Sequence, residues 1–303
     1  MPQAKHAIAV LGCGLIGQSW IALFIAHGHD VHAWDPDAAA LEALPERIRR
    51  PLAHIEQLGV NSAHGALTAH AALQSALADA DFIQENAPES APLKRDLYAQ
   101  IEACVPDDVI IASSTSALTW SDLAPAMRNP SRFITAHPFN PPHLVPLVEL
   151  YGIDETVLKT AENLYSSLGS IPVRLQKDAV GHIANRLSSA LWREAVNMVA
   201  EGIASVEAVD AALVNGPGLR WSAVGSHMAY HLGGGDGGIA HYLSHLGPSQ
   251  ERRWKTLGTP ELSGDVCRKL IEGIAEEAAG RSIAELEAER DTRLIALRKA
   301  LKA

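Results

Sequence analysis

Residues Ile8 to Gly17 read Ile-Ala-Val-Leu-Gly-Cys-Gly-Leu-Ile-Gly, and Asp35 stands eighteen residues beyond the last of these glycines. An apolar run that stops at a glycine, carries two more at Gly14 and Gly17, and resumes with helix-forming residues specifies a strand, a tight turn and a helix. Gly12 permits the turn, Gly14 lets the backbone approach a pyrophosphate, and Gly17 lets the helix pack closely on the strand. Leu15 and Ile16 open the helix, whose N-terminal N–H groups and dipole favour a phosphate. Asp35 closes the run Val31–Trp34 and is placed to accept hydrogen bonds from an adenosine ribose. Pro36 and Asp37 follow it, with no Arg or Lys to meet a 2′-phosphate, so the pattern predicts NAD rather than NADP.

The chain has 303 residues, enough for one large domain or two ordinary ones with ample core. Its 47% hydrophobic and 20% charged residues are those of a soluble globular protein. A formal net charge of −10 argues against non-specific binding to nucleic acid or anionic membrane. Cys13, Cys104 and Cys267 are too scattered for a disulfide framework or a metal knuckle, which suits a reducing, cytoplasmic setting. The apolar stretch 7–26 could pass for a membrane span, but Gly12, Gly14, Gly17, Gln18 and Ser19 interrupt it. No targeting segment is expected ahead of the first strand.

Strand-like runs at Ala7–Leu11, Asp30–Trp34, Phe82–Glu85, Val109–Ser113, Phe133–His137, Leu147–Leu150 and Pro172–Leu175 alternate with helical runs at Ile16–Ala26, Ala38–Gln57 and Leu93–Cys104. This alternation predicts an α/β, doubly wound parallel sheet of Rossmann type. After Asp178 helical patterns dominate, at Ile183–Glu201, Val206–Val214 and from Leu262 onward. We therefore expect an NAD-binding domain over 1–177 and an all-α substrate and dimerisation domain over 178–303. Ser282 and Glu285 form a capping box ahead of a final helix. In that helix Ile283, Leu286, Leu294, Leu297 and Leu301 mark an apolar stripe, and Glu289 can pair with Arg293. The glycine cluster Gly233–Gly238 reads equally as a lid, a hinge or a simple connector.

Hydride removal from a substrate carbon needs a proton acceptor, and histidine suits neutral pH. His137 ends a strand-like run and precedes the turn Pro138–Pro142, where strand ends face the ligand crevice of such sheets. Glu149 sits inside an apolar strand and needs a partner there. A histidine on the neighbouring strand would supply one. The run Ser113-Ser114-Thr115-Ser116 also follows a strand. It reads either as a turn with local side-chain bonds or as a donor to the reacting oxygen. The pairs His227/His231 and His241/His245 have i, i+4 spacing, but without HExxH or a third ligand no metal site is expected. Cys13 lies near a helix N-terminus that could lower its pKa, although a small packing role is also open.

These segments resemble the 3-hydroxyacyl-CoA dehydrogenase family across the whole chain. The matching motifs are Gly12–Gly17, Gln84-Glu-Asn-Ala-Pro-Glu89, Ser114-Thr-Ser116, His137-Pro-Phe-Asn-Pro141 through Glu149, and Gly181-His-Ile-Ala-Asn-Arg186. The resemblance implies His137 as general base, Glu149 as its orienting partner, and Ser116 and Asn185 as donors to the substrate oxygen. It also implies Glu89 and Lys94 near the nicotinamide ribose and a homodimer formed through the helical domain. Asn86 departs from the usual alanine. The family's acyl-CoA enzymes carry a lysine-rich helical hairpin after the second strand. Here Leu41–Leu77 contains no Lys, and only Arg47, Arg49 and Arg50 as strong cations.

Asn215-Gly-Pro-Gly-Leu-Arg-Trp221 resembles the branch acting on small free 3-hydroxy acids such as carnitine and gulonate, to which lens lambda-crystallin is related. Arg220 suits a carboxylate, or equally an interface ion pair. Phe139 and Trp221 could meet a quaternary ammonium. The expected reaction is NAD-dependent oxidation at C3 of a short hydroxy acid, carnitine foremost. A gulonate-type or short acyl-CoA dehydrogenase is the alternative, as is a non-enzymatic NAD-binding protein.

Overall fold

The computed structural model describes residues 5–60 and 65–302. Contacts divide the chain into a first unit, residues 1–186 with 291–302, and a second, residues 187–290.

The first unit is built on eight strands: β1 Ala7–Leu11, β2 Asp30–Trp34, β3 Leu67–His70, β4 Phe82–Glu85, β5 Ile110–Ser113, β6 Phe133–Pro138, β7 Leu147–Tyr151 and β8 Ile171–Arg174. Its helices are α1 Leu15–Ala26, α2 Ala38–Arg47, α3 Arg49–Gln57, α4 Leu73–Leu77, α5 Ala91–Cys104, α6 Trp120–Leu123 and α7 Glu155–Ser167. The strand order is β3-β2-β1-β4-β5-β6-β7-β8. Strands β1 to β6 pair in parallel, as the alternation predicts, whereas β7 joins β6 antiparallel and β8 then runs parallel to β7. The wholly parallel sheet is thus corrected at one seam. Only residues 139–146 separate β6 from β7, too few for the crossover that a parallel pairing requires.

Two further departures have local causes. Strand β3 was not legible because it lies at the sheet edge and buries none of its four residues, so no apolar pattern marks it. The single helix expected over Ala38–Gln57 is two, broken at Ile48. In an unbroken helix Pro51 would have to donate to the carbonyl of Arg47. It has no N–H, and it sits instead in the first turn of α3, where none is needed.

Helix α1 is buried along nearly its whole length, with Trp20 and Phe24 stacked at 5.7 Å. Burial of such side chains stabilises the fold by about 1.5–3 kcal/mol each and fixes the helix that follows the glycine turn. The segment 291–302 belongs to this unit through Asp291 and Ile295, both buried. Arg50 Nη2 donates to Asp291 Oδ2 at 2.6 Å, and Arg298 Nη1 donates to the His143 carbonyl at 3.1 Å.

The second unit contains the rest of α8 Ala184–Ala200, then α9 Val206–Asn215, α10 Pro217–Ala223, α11 Ser226–Gly233, α12 Gly238–Trp254, α13 Gly264–Ala278 and the start of α14 Ile283–Lys302. Gly235–Gly237 form a single 3-10 turn between α11 and α12. The Ser282/Glu285 capping box is present in both directions, at 2.8 and 3.3 Å. The stripe expected on α14 is rotated. Asp291 and Ile295 are its buried positions, while Ile283, Leu297 and Leu301 are exposed. Among the described residues no helix is long and apolar enough to cross a membrane.

Candidate active site

The glycine turn is fixed by backbone sterics. Gly12 has φ +90°, and its N–H donates to the Trp34 carbonyl at 2.8 Å. A Cβ there would lie 2.7 Å from the Asn86 carbonyl oxygen, and one at Gly17 would lie 1.9 Å from that of Gly12. Gly14 differs, because a Cβ on it would meet no protein atom within 4 Å. It caps α1 without any side-chain hydrogen bond, so the first turn of the helix offers its N–H groups and positive dipole end to an anion. The exposed Leu15 and half-buried Ile16 begin that turn.

Beside the turn lies a cleft of about 620 Å³ lined by Gly12, Gly14, Trp34, Asp35 and Leu93, among others. Asp35 Oδ2 accepts from the Cys13 N–H at 2.7 Å and Oδ1 from the Asp37 N–H at 2.9 Å. It therefore braces the loop as well as facing the cleft. A pyrophosphate at Gly14, a ribose at Asp35 and no cation after Asp35 fit NAD. Of the two roles open to Cys13, the buried side chain fits the small packing residue rather than an activated thiol. Burial, and after it the Asp35 charge, push its pKa up to about 12.

The second part of the site is a pocket of about 320 Å³ bordered by Ile16, Ser116, His137, Phe139, Asn140 and Asn185, together with Ser114. His137 and Glu149 are direct cross-strand partners in the antiparallel β6–β7 pair, which brings residues twelve apart into contact. His137 Nδ1 lies 2.8 Å from Glu149 Oε2. The other carboxylate oxygen accepts from the N–H groups of Ile183 and Ala184 at 2.7 and 2.9 Å. Burial opposes the charged form of Glu149. The bonds from His137 and from those two backbone donors outweigh it and hold the carboxyl below its ordinary range. Facing a carboxylate, Nδ1 carries the imidazole hydrogen, so Nε2 presents a lone pair. That is the form a general base needs.

A count of hydrogen bonds separates the hydroxyls of the serine run. Ser114 Oγ accepts from Trp20 Nε1 and Gln84 Nε2, at 3.1 and 2.9 Å, and donates to Asn86 Oδ1 at 2.8 Å. A hydroxyl has one proton and two lone pairs, so Ser114 is saturated. Ser113 is committed to Glu85, and Thr115 to Glu89 and the Leu118 carbonyl. Ser116 is exposed, and among the described residues its hydroxyl meets no protein partner. Asn185 opens α8, with its side chain bordering the same pocket.

Glu89 Oε2 and Lys94 Nζ lie 3.8 Å apart, and both side chains are also tied to other protein partners. Glu89 Oε1 gathers the Thr115 hydroxyl and the N–H groups of Ser116, Ala117 and Leu118 at 2.6–3.2 Å. Burial raises its pKa, but these donors and the Lys94 charge bring it below the usual range. Lys94 is 1% exposed and turns its ammonium to Glu85 Oε1 at 2.7 Å and the Ala87 carbonyl at 3.0 Å. It therefore braces the 85–89 segment that carries Glu89. Sequence reading missed this clamp because its acceptor and donors are 26–29 residues apart. It also missed Asn86 as the link between the glycine turn and Ser114. The asparagine in place of alanine was the available signal.

Arg220 and Trp221 lie exposed on α10 in the second unit. The paired histidines there serve local structure. His231 Nδ1 accepts from the Ile239 N–H, and the rings of His241 and His245 stack at 5.6 Å. Among the described residues no three His, Cys, Asp or Glu side chains converge to hold a metal ion.

Comparison with known proteins bears on this arrangement. The family model for the NAD-binding domain of 3-hydroxyacyl-CoA dehydrogenase matches residues 7–179, and that for the C-terminal domain matches residues 181–277. The chain belongs to the 3-hydroxyacyl-CoA dehydrogenase family. As a member it is an NAD-dependent dehydrogenase, with a Rossmann-type domain followed by a helical one. It is 44% identical to L-carnitine dehydrogenase of Nocardiopsis dassonvillei, over 99% of this chain and 93% of that protein. It is 42% identical to L-carnitine dehydrogenase of Streptomyces coelicolor, over 99% and 96%. Among solved structures, 5-formyl-3-hydroxy-2-methylpyridine 4-carboxylic acid 5-dehydrogenase, described as an NAD+-dependent dismutase, superposes with a TM-score of 0.84. That pair is 26% identical, with 99% of both chains covered.

Proposed function

We propose that this dehydrogenase oxidises the 3-hydroxyl of a short free hydroxy acid, L-carnitine foremost, to the 3-keto acid. The observation that carries the reading is the Glu149-anchored His137, whose bare Nε2 borders one pocket with Ser116 and Asn185. Ser116 and Asn185 hold the substrate's hydroxyl oxygen. His137 takes the hydroxyl proton, and Glu149 stabilises the resulting imidazolium. NAD, when bound, accepts the hydride from C3. In reverse, the protonated His137 returns its proton to the ketone oxygen.

Two observations favour a free acid over a CoA ester. The stretch Leu41–Leu77 contains no lysine. Of its three arginines, Arg49 pairs with Glu46 at 3.0 Å and Arg50 with Asp291 at 2.6 Å. The carnitine-dehydrogenase relatives point the same way. Arg220 is assigned to the substrate carboxylate, and Phe139 and Trp221 to its quaternary ammonium, which attracts aromatic faces. Initial rates with carnitine, gulonate, 3-hydroxybutyrate and 3-hydroxybutyryl-CoA test the reading, and carnitine should give the highest kcat/KM. Preference for the CoA ester refutes the free-acid assignment. Inactivity across the panel favours a non-enzymatic NAD-binding role.

We further propose a cytoplasmic homodimer with domains at 1–177 and 178–303, and without nucleic-acid or membrane partners. Support for the dimer comes from the second unit, which leaves Trp192, Trp254, Ile271 and Ile274 more than half exposed. Sedimentation equilibrium should give twice the chain mass.

A further inference from the structure

The turn leading into α8 holds a buried imidazole that the proposed reaction does not use. His182 is 2% exposed and has φ +49°, a left-handed conformation that an L residue keeps only when its surroundings enforce it. Its Nε2 lies 3.1 Å from the Thr115 carbonyl oxygen. A carbonyl only accepts, so Nε2 carries the hydrogen and Nδ1 is left as a bare acceptor, buried and without a hydrogen-bond partner. The face of the ring packs on His137, with centroids 4.8 Å apart and planes 34° apart. The next two residues, Ile183 and Ala184, donate their N–H groups to Glu149. One short turn thus touches the base, the carboxylate that orients it, and the residue immediately before Ser116.

We propose that His182 is a positioning residue that sets the separation between His137 and Ser116. The proposal rests on the reading of those two side chains as the grip on the reacting oxygen. Glu89 holds the serine loop through its N–H groups, and His182 holds it through a carbonyl, so the loop is fixed from both polarities. The same ring walls the imidazole of His137. A phenylalanine could supply that wall but not the tether, and a glutamine the tether but not the wall. Burial, followed by the neighbouring His137, lowers the His182 pKa, so the ring stays uncharged. No second cation then opposes the imidazolium formed during turnover.

The test is a double-mutant cycle on the full-length enzyme with its best substrate from the panel above. His182→Phe should lower kcat about tenfold, because small misplacements of catalytic groups are amplified in the rate. The NAD dissociation constant, read by fluorescence titration, should stay within about twofold. His182→Gln keeps a donor for the Thr115 carbonyl and should recover part of the loss. In a Ser116→Ala background, His182→Phe should cost less than about twofold, since residues acting through one contact are not additive. If Ser116→Ala is impaired but His182→Phe still costs tenfold on top of it, the positioning role is wrong while the assignment of Ser116 stands. Full turnover in Ser116→Ala alone removes that assignment and the positioning role together. Unchanged kcat in both His182 variants overturns the proposal directly. Should the Phe variant fail to fold, His182→Leu, which likewise lacks a donor for the Thr115 carbonyl, runs the same cycle with the same criteria.

Discussion

The glycine turn and the histidine pocket are built by opposite means. The turn is six consecutive residues held by sterics, where a Cβ at Gly12 or Gly17 would strike backbone and one at Gly14 would meet no protein atom. The pocket is assembled from five separate segments, Ile16 and the stretches around residues 114–116, 137–140, 149 and 182–185, the last four tied by side-chain hydrogen bonds. The first region is local in sequence and binds. The second is non-local and, in the proposed reaction, moves protons. Affinity for NAD and turnover should therefore be separable by mutation.

The sharpest break in that comparison is His137→Gln. It should cost about 10²- to 10⁴-fold in kcat, the usual contribution of a positioned base, while NAD affinity by fluorescence titration stays within about twofold. Next comes the buried support of the serine loop. Lys94→Met leaves Glu85 buried without its counter-ion, held by the Ala87 N–H, Tyr98 and Ser113, and should lower unfolding stability in urea by about 3 kcal/mol. Gly14→Ala tests the turn from the other side. Its backbone at φ −70° accepts an L residue and no protein atom is in the way, so the melting temperature should hold. The new methyl intrudes where the pyrophosphate belongs, so NAD should weaken by about tenfold, near 1.4 kcal/mol. A Gly14→Ala enzyme with undiminished affinity would blur the distinction between the regions.

The smallest effect is on acid stability. Burial first, and then the charges of His6 and His27, lower the His29 pKa from 6.5 to about 4. The unfolded chain therefore takes up its proton first. The associated stability is complete above pH 6.5 and is lost as pH falls toward 4. His182 acts in the same direction. The low pKa values of Glu149 and Glu89 have the opposite origin, and their contribution is lost only below the ordinary carboxylate range. Melting temperature against pH should therefore slope between pH 6.5 and 4, and flatten in His29→Asn. An equally steep slope in that variant would assign the effect to other groups.

What was readable in the sequence follows the same divide. Gly12, Gly14, Gly17 and Asp35 were legible because turn sterics are encoded residue by residue. The His137–Glu149 pair was legible for an energetic reason, since a carboxylate inside an apolar strand must find a donor. The direction of β7 was missed, because strand–helix alternation suggested a parallel strand where the intervening turn is too short for a crossover. The choice of Ser116 over Ser114 came from the family resemblance and was not legible from the residues of the run themselves. It depends on Trp20, Gln84 and Asn86 converging on one hydroxyl, which only the folded chain brings about. Cys13 was legible as a small packing residue, and burial beside Asp35 works against activation by the helix start.

The return of residues 291–302 to the first unit has a consequence for synthesis. A ribosome delivers the glycine turn, His137, Glu149 and Asn185 long before Asp291, Ile295 and Arg298, and the whole second unit is made in between. The cofactor-binding unit therefore receives its last buried side chains after its neighbour has been translated. A chain stopped at residue 290 would carry every proposed catalytic group, yet lack the pieces that meet Arg50 and the His143 carbonyl.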